Sequence, residues 1–201
     1  MNTLVVDRST DRQSVAFVDG DGNVDSLVLD GMDCRSGDWT ERVGRFLCGR
    51  RPDRILVGTG PGSFAGIRAA LAFAQGYAIG SKCEVCGLPS PCALADDGGA
   101  VAVVGDARRG MFWIALFEGR KMVCDVFQTD ADSLGKRVPR GARIVSPDDR
   151  RIGEKLKELF GEAYAGEALP MADGLARYMM ADPAALKPEP LPIYLNPAVR
   201  T

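Results

Sequence analysis

Runs of apolar residues near the N-terminus have the length and spacing of short strands. They cover residues 2–7, 13–18 and 24–29, and Asp and Gly alternate at residues 19–22, between the second and third runs. Dense Asp-Gly pairs between apolar runs are typical of hairpin turns. The pattern therefore predicts three antiparallel strands joined in sequence.

Further along, apolar residues recur at helical spacing and predict two helices, at residues 38–49 and 63–80. Compact apolar runs at residues 55–57 and 83–87 predict one strand before the second helix and one after it. The element order is then βββαβαβ, which is the order of the ribonuclease-H-like lobe in the actin, Hsp70 and sugar-kinase group. This order favours an α/β fold class, although a fold match alone assigns no function.

The second half of the chain has the same mixed character in shorter elements. Prolines recur through residues 183–201 and favour an extended tail. We expect the actin-like ATPase (ASKHA) fold, with one ribonuclease-H-like subdomain at residues 1–98 and a second, smaller and reduced one at residues 99–201. The strands predicted in the second part are residues 101–104, 111–117, 123–127 and 142–145, and the helices are residues 147–161 and 172–180.

Charge and hydropathy narrow the range of partners. The 201 residues are 46% hydrophobic and 26% charged, with a formal net charge of −2, which argues against a broad phosphate-binding surface. No apolar run reaches the roughly 18 residues of a membrane span, and the N-terminus lacks the basic and apolar regions of a signal peptide. We expect a cytoplasmic protein with no membrane partner and only indirect contact with RNA.

The sequence contains no histidine, and this absence excludes several classes of catalytic and metal site. Ser-His-Asp triads, Cys-His dyads and histidine metal sites all depend on it. Cys83 and Cys86 have the CxxC spacing of zinc and redox sites, but only Cys92 stands nearby as a third thiol. A strand through residues 82–87 makes these cysteines small buried hydrophobes, so no metal site is expected.

Residues 58–68, GTGPGSFAGIR, form a glycine-rich turn between a predicted strand and a predicted helix. Glycines allow positive φ angles and the close approach of a neighbouring chain, and free amides at a helix start can hold an anion. No Gly-Lys-Ser/Thr follows, so the segment is not a P-loop. Two interpretations stay open: a tight turn with a packed helix behind it, and a phosphate-binding loop.

The helix predicted at residues 63–80 combines small residues with large apolar ones. Small residues at three- and four-residue spacing let two helices approach closely. A helix that is apolar over most of its circumference has more such surface than one contact can bury. It is therefore predicted to meet a partner as well as its own sheet.

Four segments, in order along the chain, resemble the TsaB family. Residues 60–68, GPGSFAGIR, resemble the family's GPGSFTGLR signature, and residues 5–10, VVDRST, resemble its N-terminal IDTST. Residues 106–113, DARRGMFW, resemble DARRGEVY, and residues 175–195 resemble the last helix and the P-x-Y-L-R tail. The similarity extends over nearly the whole chain.

The resemblance implies two actin-like subdomains and an accessory role. TsaB-like proteins pair with the catalytic subunit TsaD through a helical bundle that includes the GPGSF helix, and they form homodimers through the same surface when alone. With the ATP-binding partner TsaE, the complex transfers a threonylcarbamoyl group to N6 of adenosine 37 in tRNA. The resemblance requires no cofactor in this chain and allows ATP or ADP at the complex interface. The interface residues it predicts are Phe64, Ile67, Arg68, Ala69, Ala70, Phe73, Gly76 and Tyr77.

Actin-like ATPases place a first-strand Asp and small hydroxyl or glycine residues around the nucleotide phosphates. The resemblance predicts a degenerate version of that site at Asp7, Ser9, Thr10, Gly60 and Gly62. The chain departs from the TsaB pattern at two places, which affect this predicted nucleotide site and the geometry of partner binding. Arg8 replaces the Thr of IDTST, and residues 36–39, SGDW, replace the His-Ser start of the family's first long helix.

Asp106, Arg108 and Arg109 form the charged part of the third motif. Paired arginines beside a carboxylate predict a structural ion pair that fixes the interface between the lobes. A contact with tRNA or nucleotide is the alternative interpretation.

Two other functions are compatible with the fold class. An independent actin-like ATPase or small-molecule kinase would bind nucleotide near Asp7, Ser9 and Gly60. A metallopeptidase is opposed by the sequence, because the chain has no histidine to hold a catalytic zinc.

Overall fold

The computed structural model describes residues 1–29 and 38–195, which divide into two compact units. The first unit comprises Met1–Ala93 and Pro170–Ile193, and the second comprises Leu94–Leu169 with the chain from Tyr194. The expected division placed everything after residue 98 in the second subdomain. Residues 170–193 belong instead to the first unit, because the helix they carry packs on its sheet.

The first unit is built on a five-stranded sheet in the order β3-β2-β1-β4-β5. The meander pairs antiparallel, and the last two strands add to it in parallel, as their separation by a helix requires. All five predicted strands are present. Their bounds are β1 Thr3–Asp7, β2 Gln13–Val18, β3 Val24–Leu29, β4 Arg54–Gly58 and β5 Glu84–Leu88.

Helices cover this sheet. The helices α1 (Asp38–Leu47) and α2 (Phe64–Ser81) share a buried apolar cluster with alternate strand residues such as Leu4 and Val57. The helix α5 (Ala172–Ala181) packs against β1, β2 and β3 without joining that cluster. Strand side chains alternate between faces, so β1, β2 and β4 are buried on both faces and are almost continuously apolar, whereas the edge strand β3 is partly exposed.

The second unit contains a six-stranded sheet in the order β11-β10-β6-β7-β8, with β9 also paired to β7. Two helices pack within this unit, and Leu134 and Leu156 lie at the centre of its apolar cluster. The elements are β6 Ala100–Arg108, β7 Met111–Glu118, β8 Lys121–Met122, β9 Phe127–Asp130, α3 Ala131–Arg137, β10 Arg143–Ser146, α4 Asp149–Phe160 and β11 Tyr164–Glu167.

Three elements of the second unit differ from the prediction. The strand expected at residues 123–127 is replaced by the short strands β8 and β9, which both pair with β7. The helix α3 and the strand β11 were not predicted. A cap marks the start of α3, where Asp130 Oδ1 accepts a hydrogen bond from Ser133 N at 2.8 Å.

The tail was expected to be extended over residues 183–201. It begins with a 3₁₀ turn at Pro183–Ala185, the chain from Leu186 to Leu195 then runs beside the β5 edge of the first sheet, and residues 196–201 lie outside the described part of the chain. Gly87 and Lys187 exchange two backbone hydrogen bonds at 2.9 and 3.0 Å, and Ile193 N donates to Thr59 O at 2.9 Å. Among the described residues, no helix combines the length and apolar character needed to cross a membrane.

Candidate protein interface and glycine-rich loop

The helix α2 begins directly after the glycine-rich loop. Ser63 caps it by accepting a hydrogen bond from Gly66 N at 3.2 Å through its Oγ. The helix ends at Lys82, whose backbone is left-handed and whose N–H donates to Ala78 O at 2.7 Å. Over its 18 residues, Arg68 is the only charged side chain.

One side of α2 lies in the core of the first unit. Ile67 and Ala70 are 1% and 0% exposed, and Leu71 and Ala74 are buried beside them. Ile67 and Ala70 were predicted as interface residues. Because they pack on their own sheet, they cannot touch a partner, and they support the helix from behind.

The opposite side of α2 is exposed and apolar. Phe64 is 51% exposed and Ile79 is 85% exposed, although both are large hydrophobic side chains. The exposed positions between them follow helical spacing and are mostly small. We call this stripe the α2 face: Phe64, Ala65, Arg68, Ala69, Ala72, Gln75, Gly76, Ile79 and Gly80, of which Ala69 is half-buried and the others are exposed. Arg68 and Gln75 are its two polar residues.

Phe73 and Tyr77 lie along one side of the α2 face and are half-buried. The ring of Phe73 meets Trp39 edge-on at a centroid distance of 4.8 Å, and Tyr77 follows at 6.0 Å from Phe73. Of these two predicted interface residues, Phe73 therefore also joins α2 to α1, and Tyr77 packs beside it on α2. Of the other predicted positions, Phe64, Arg68, Ala69 and Gly76 lie on the α2 face.

The structure brings together four of the five residues of the predicted nucleotide site. Asp7 Oδ1 accepts hydrogen bonds from Ser9 N at 2.9 Å and from Ser9 Oγ at 2.6 Å. A methyl group at Gly62 would lie 2.1 Å from the Ser9 carbonyl oxygen, and one at Gly60 would lie 2.5 Å from Ile67 Cδ1. The fifth residue, Thr10, donates from Oγ1 to the carbonyl oxygen of Arg12 at 3.0 Å.

The Asp7 carboxylate is 0% exposed. Burial raises its pKa, and hydrogen bonds from Ser9 and Ser90 act in the opposite direction. Ser90 was not part of the prediction, and it also holds the loop by accepting a hydrogen bond from Gly60 N at 3.0 Å. The space beside the loop glycines is thus occupied by other parts of the same chain, such as the Ser9 backbone. This favours the interpretation of the loop as a tightly packed turn over its interpretation as a phosphate-binding loop.

The charged motif of the second unit forms an ion-pair network. Arg108 lies 3.5 Å from the Asp106 carboxylate, and the predicted role of this pair at the interface between the lobes stays a prediction. Arg151 contributes the shorter contacts, at 3.2 Å to Asp106 and 2.8 Å to Asp148, and its position on α4 gave no signal in the sequence. Arg109 is exposed at the tip of the β6–β7 hairpin.

The two cysteines of the CxxC segment have different surroundings: Cys83 immediately precedes β5 and Cys86 lies within it. Cys83 packs against the cluster that includes α2, whereas Cys86 is buried and its thiol lies 3.7 Å from the Ile55 carbonyl oxygen. Burial raises the pKa of Cys86 to about 11. Within residues 1–29 and 38–195, no three Cys, Asp or Glu side chains are grouped to hold a metal.

Comparison with family models gives one match. Residues 50–164 match the family described as TsaD: tRNA N6-adenosine threonylcarbamoyltransferase. The matched segment is more than half of the chain and includes the glycine-rich loop, α2 and the β6–β7 hairpin. No curated protein sequence matches the chain.

Solved structures show the same fold. YeaZ from Pseudomonas aeruginosa superposes with a TM-score of 0.75 at 21% identity, covering 96% of this chain and 100% of that one. A Pseudomonas aeruginosa protein with similarity to peptidase YEAZ gives a TM-score of 0.74 at 20% identity, covering 97% and 99%. A Bacteroides thetaiotaomicron protein with an actin-like ATPase fold is more distant, with a TM-score of 0.43 at 11% identity over 89% and 95%.

Proposed function

Because the chain belongs to the family of TsaD, the tRNA N6-adenosine threonylcarbamoyltransferase, we propose that it is a non-catalytic accessory subunit of the TsaB (YeaZ) type. It binds a TsaD-like catalytic subunit and activates it for N6-threonylcarbamoylation of adenosine 37 in tRNA. A TsaE-like ATPase joins through the complex, and tRNA contacts this chain only indirectly. In this proposal the complex works in the cytoplasm, and any ATP or ADP lies at the interface of the complex.

The α2 face is the observation that carries the proposal. It leaves Phe64 and Ile79 largely in water, and a stripe of this kind is typical of protein interfaces. The small residues between them allow a second helix to pack at a short interaxial distance. Arg68 lies with its guanidinium carbon 5.0 Å from the centre of the Phe64 ring, so even its one charged residue covers apolar surface.

The chemistry of the side chains supports an accessory role. The chain has no histidine with which to hold a catalytic metal or transfer a proton at neutral pH. The carboxylate that would face a nucleotide in an active relative of this fold, Asp7, is sealed in the core. In this proposal the catalytic groups come from the partner.

A charge placed on the α2 face tests the proposal. Ala72→Glu puts a carboxylate on an exposed position of that face, where it would have to be buried in the complex at a cost of several kcal/mol. We expect the variant to fold normally and to lose co-purification with the TsaD homologue of the same organism. Ala184→Glu is the matched control, because Ala184 is exposed in the 3₁₀ turn after α5, and it should bind normally.

The same variants address self-association and activity. The isolated wild-type chain should form a homodimer through the α2 face, and Ala72→Glu should shift it to monomer in sedimentation. Threonylcarbamoylation of tRNA by TsaD and TsaE should require the wild-type chain or Ala184→Glu. Normal complex formation by Ala72→Glu, or tRNA modification by the isolated chain, would show that the proposal is wrong.

Calorimetry with ATP and magnesium distinguishes the independent ATPase or kinase. We expect no saturable heat from the isolated chain, because Ser9 hydrogen-bonds to Asp7 and its carbonyl group packs against Gly62, so the chain's own groups occupy the predicted nucleotide site. Saturable binding that Asp7→Asn abolishes would instead support a nucleotide-dependent enzyme.

A further inference from the structure

A chain of hydrogen bonds connects the buried carboxylate of Asp7 to the first turn of α2. Asp7 Oδ1 accepts from the N–H and the hydroxyl of Ser9 at 2.9 and 2.6 Å. The carbonyl oxygen of Ser9 then accepts from Ser63 N at 2.7 Å, and Ser63 caps the helix. The orientation of Ser9, set by the carboxylate, thereby sets the position of the N-cap.

Close approach of the two backbones reinforces this connection. A methyl group at Gly62 would lie 2.1 Å from the Ser9 carbonyl oxygen, and one at Gly66 would lie 2.0 Å from the Arg8 carbonyl oxygen. Neither oxygen belongs to a flexible side chain, so only glycine fits at both positions. Two successive carbonyl groups of the β1–β2 turn are thus seated against the start of α2.

The other end of the loop is held by the same cluster. Ser90 N donates to Gly60 O at 2.9 Å, and Gly60 N donates to Ser90 Oγ at 3.0 Å. A methyl group at Gly58 would lie 1.8 Å from Asp7 Oδ2 and 2.8 Å from Ser90 Oγ. The loop is therefore fixed at its beginning and at its end by groups that meet around Asp7.

We infer that Asp7 is a positioning residue for partner binding, because it fixes the N-terminal part of the α2 face through Ser9 and Ser63. Phe64, Ala65 and Arg68 belong to the first turn and a half of α2. The hydrogen bonds around Asp7 hold this part of the helix in position. Loss of these hydrogen bonds would move the three side chains while leaving the sheet behind them intact. The inference rests on the proposed function, since it concerns the surface by which the chain would bind TsaD.

Variants that separate the hydrogen-bond acceptor from the charge test the inference. Asp7→Asn keeps the Oδ1 acceptor, Asp7→Ala removes it, and Ser9→Ala removes one donor. Asp19→Ala is the matched control, because Asp19 also accepts hydrogen bonds from the backbone two and four residues on, at 2.9 Å each, but in the β2–β3 turn. Affinity for the TsaD homologue is measured by calorimetry under conditions where each variant is folded, and amide exchange is measured at residues 63–66.

We expect Asp7→Ala and Ser9→Ala to weaken binding by about tenfold or more and to speed amide exchange at residues 63–66. Asp7→Asn should restore both to nearly wild-type values, and Asp19→Ala should change neither. Equal binding by folded Asp7→Ala and wild type would overturn the inference. If Asp7→Ala does not fold, then unchanged binding and exchange in Ser9→Ala would overturn it. Failure of the wild type to bind TsaD would contradict the proposed function instead.

Discussion

The guanidinium carbon of Arg8 lies 4.6 Å from the centre of the Trp39 ring. These residues are two of the positions at which the chain departs from the TsaB pattern, and in the structure they touch. Trp39 is buried, and its ring in turn meets Phe73 of α2. Arg8, Trp39 and Phe73 thus join the β1–β2 turn to α1 and α2, while Ser36 and Gly37 of the second departure lie outside the described residues.

We expect Arg8 and Trp39 to be energetically coupled. In a double-mutant cycle of Arg8→Ala and Trp39→Phe, the coupling free energy should be about 0.5–2 kcal/mol, because the cation lies over the ring near a buried core. Urea unfolding of the four proteins measures it. A control cycle with Arg45→Ala, whose side chain is exposed and paired with Glu41, should be additive. A coupling no larger than in the control would contradict the prediction.

Asp7→Asn should make stability less dependent on pH. Burial raises the pKa of Asp7 in the folded state, so the folded protein favours the protonated carboxyl. The stability that the protonated Asp7 carboxyl contributes to the folded state is greatest below 3.8, the pKa taken for the unfolded chain. That stability is lost as the pH rises through the pKa of Asp7 in the folded protein. At neutral pH the variant should be more stable than the wild type, and the gain should shrink on acidification.

Urea midpoints from about pH 4.5 to pH 8 measure this effect. Asp130→Asn is a control with the opposite sign, because hydrogen bonds from Ser133 lower the pKa of Asp130. That variant should be less stable than the wild type at neutral pH and should approach it as the pH falls. A lower stability of Asp7→Asn at neutral pH would show that the negative charge itself is needed.

Gly76→Ala should separate stability from binding. Among the described residues, no atom lies within 4 Å of where the new methyl group would be, and alanine favours the helix interior by about 0.5–1 kcal/mol. The same methyl group projects from the α2 face and should weaken TsaD binding by about threefold to tenfold.

Gly135→Ala in α3 is the matched control for this experiment, because its methyl group also meets no described atom within 4 Å. It should raise stability without changing affinity. Thermal unfolding and calorimetry on the three proteins give both quantities. Unchanged affinity in Gly76→Ala would exclude close helix packing at that position.

Arg109→Asn should stabilise the β6–β7 hairpin. Arg108 pairs with Met111, so Arg109 and Gly110 form a two-residue turn with φ angles of +54° and +75°. Asparagine adopts this left-handed conformation more readily than arginine, and the gain should be about 0.5–1 kcal/mol in thermal unfolding. Gly110→Ala should cost about 1 kcal/mol. A destabilised Arg109→Asn would indicate that the arginine side chain contributes a contact of its own.

The sequence alone determined the structural properties that depend on residues close together along the chain. Short apolar runs predicted all five strands of the first sheet, and the helical spacing of apolar residues predicted α2. The absence of histidine excludes acid–base catalysis by histidine and zinc sites that need histidine ligands. These properties follow from local periodicity and side-chain chemistry, which the order of residues carries directly.

Only the tertiary structure decided which surfaces are covered. It buried Ile67 and Ala70, left Ala72 and Ile79 outside, and sealed Asp7 beneath the turn that its own chain makes. It also brought Ala172 N within 2.8 Å of Ser14 Oγ, a separation of 158 residues that moves α5 to the first unit. An apolar stripe in the sequence predicts that a helix face is buried. Which segment buries that face depends on contacts between residues far apart in the chain, and the local pattern carries no signal for those contacts.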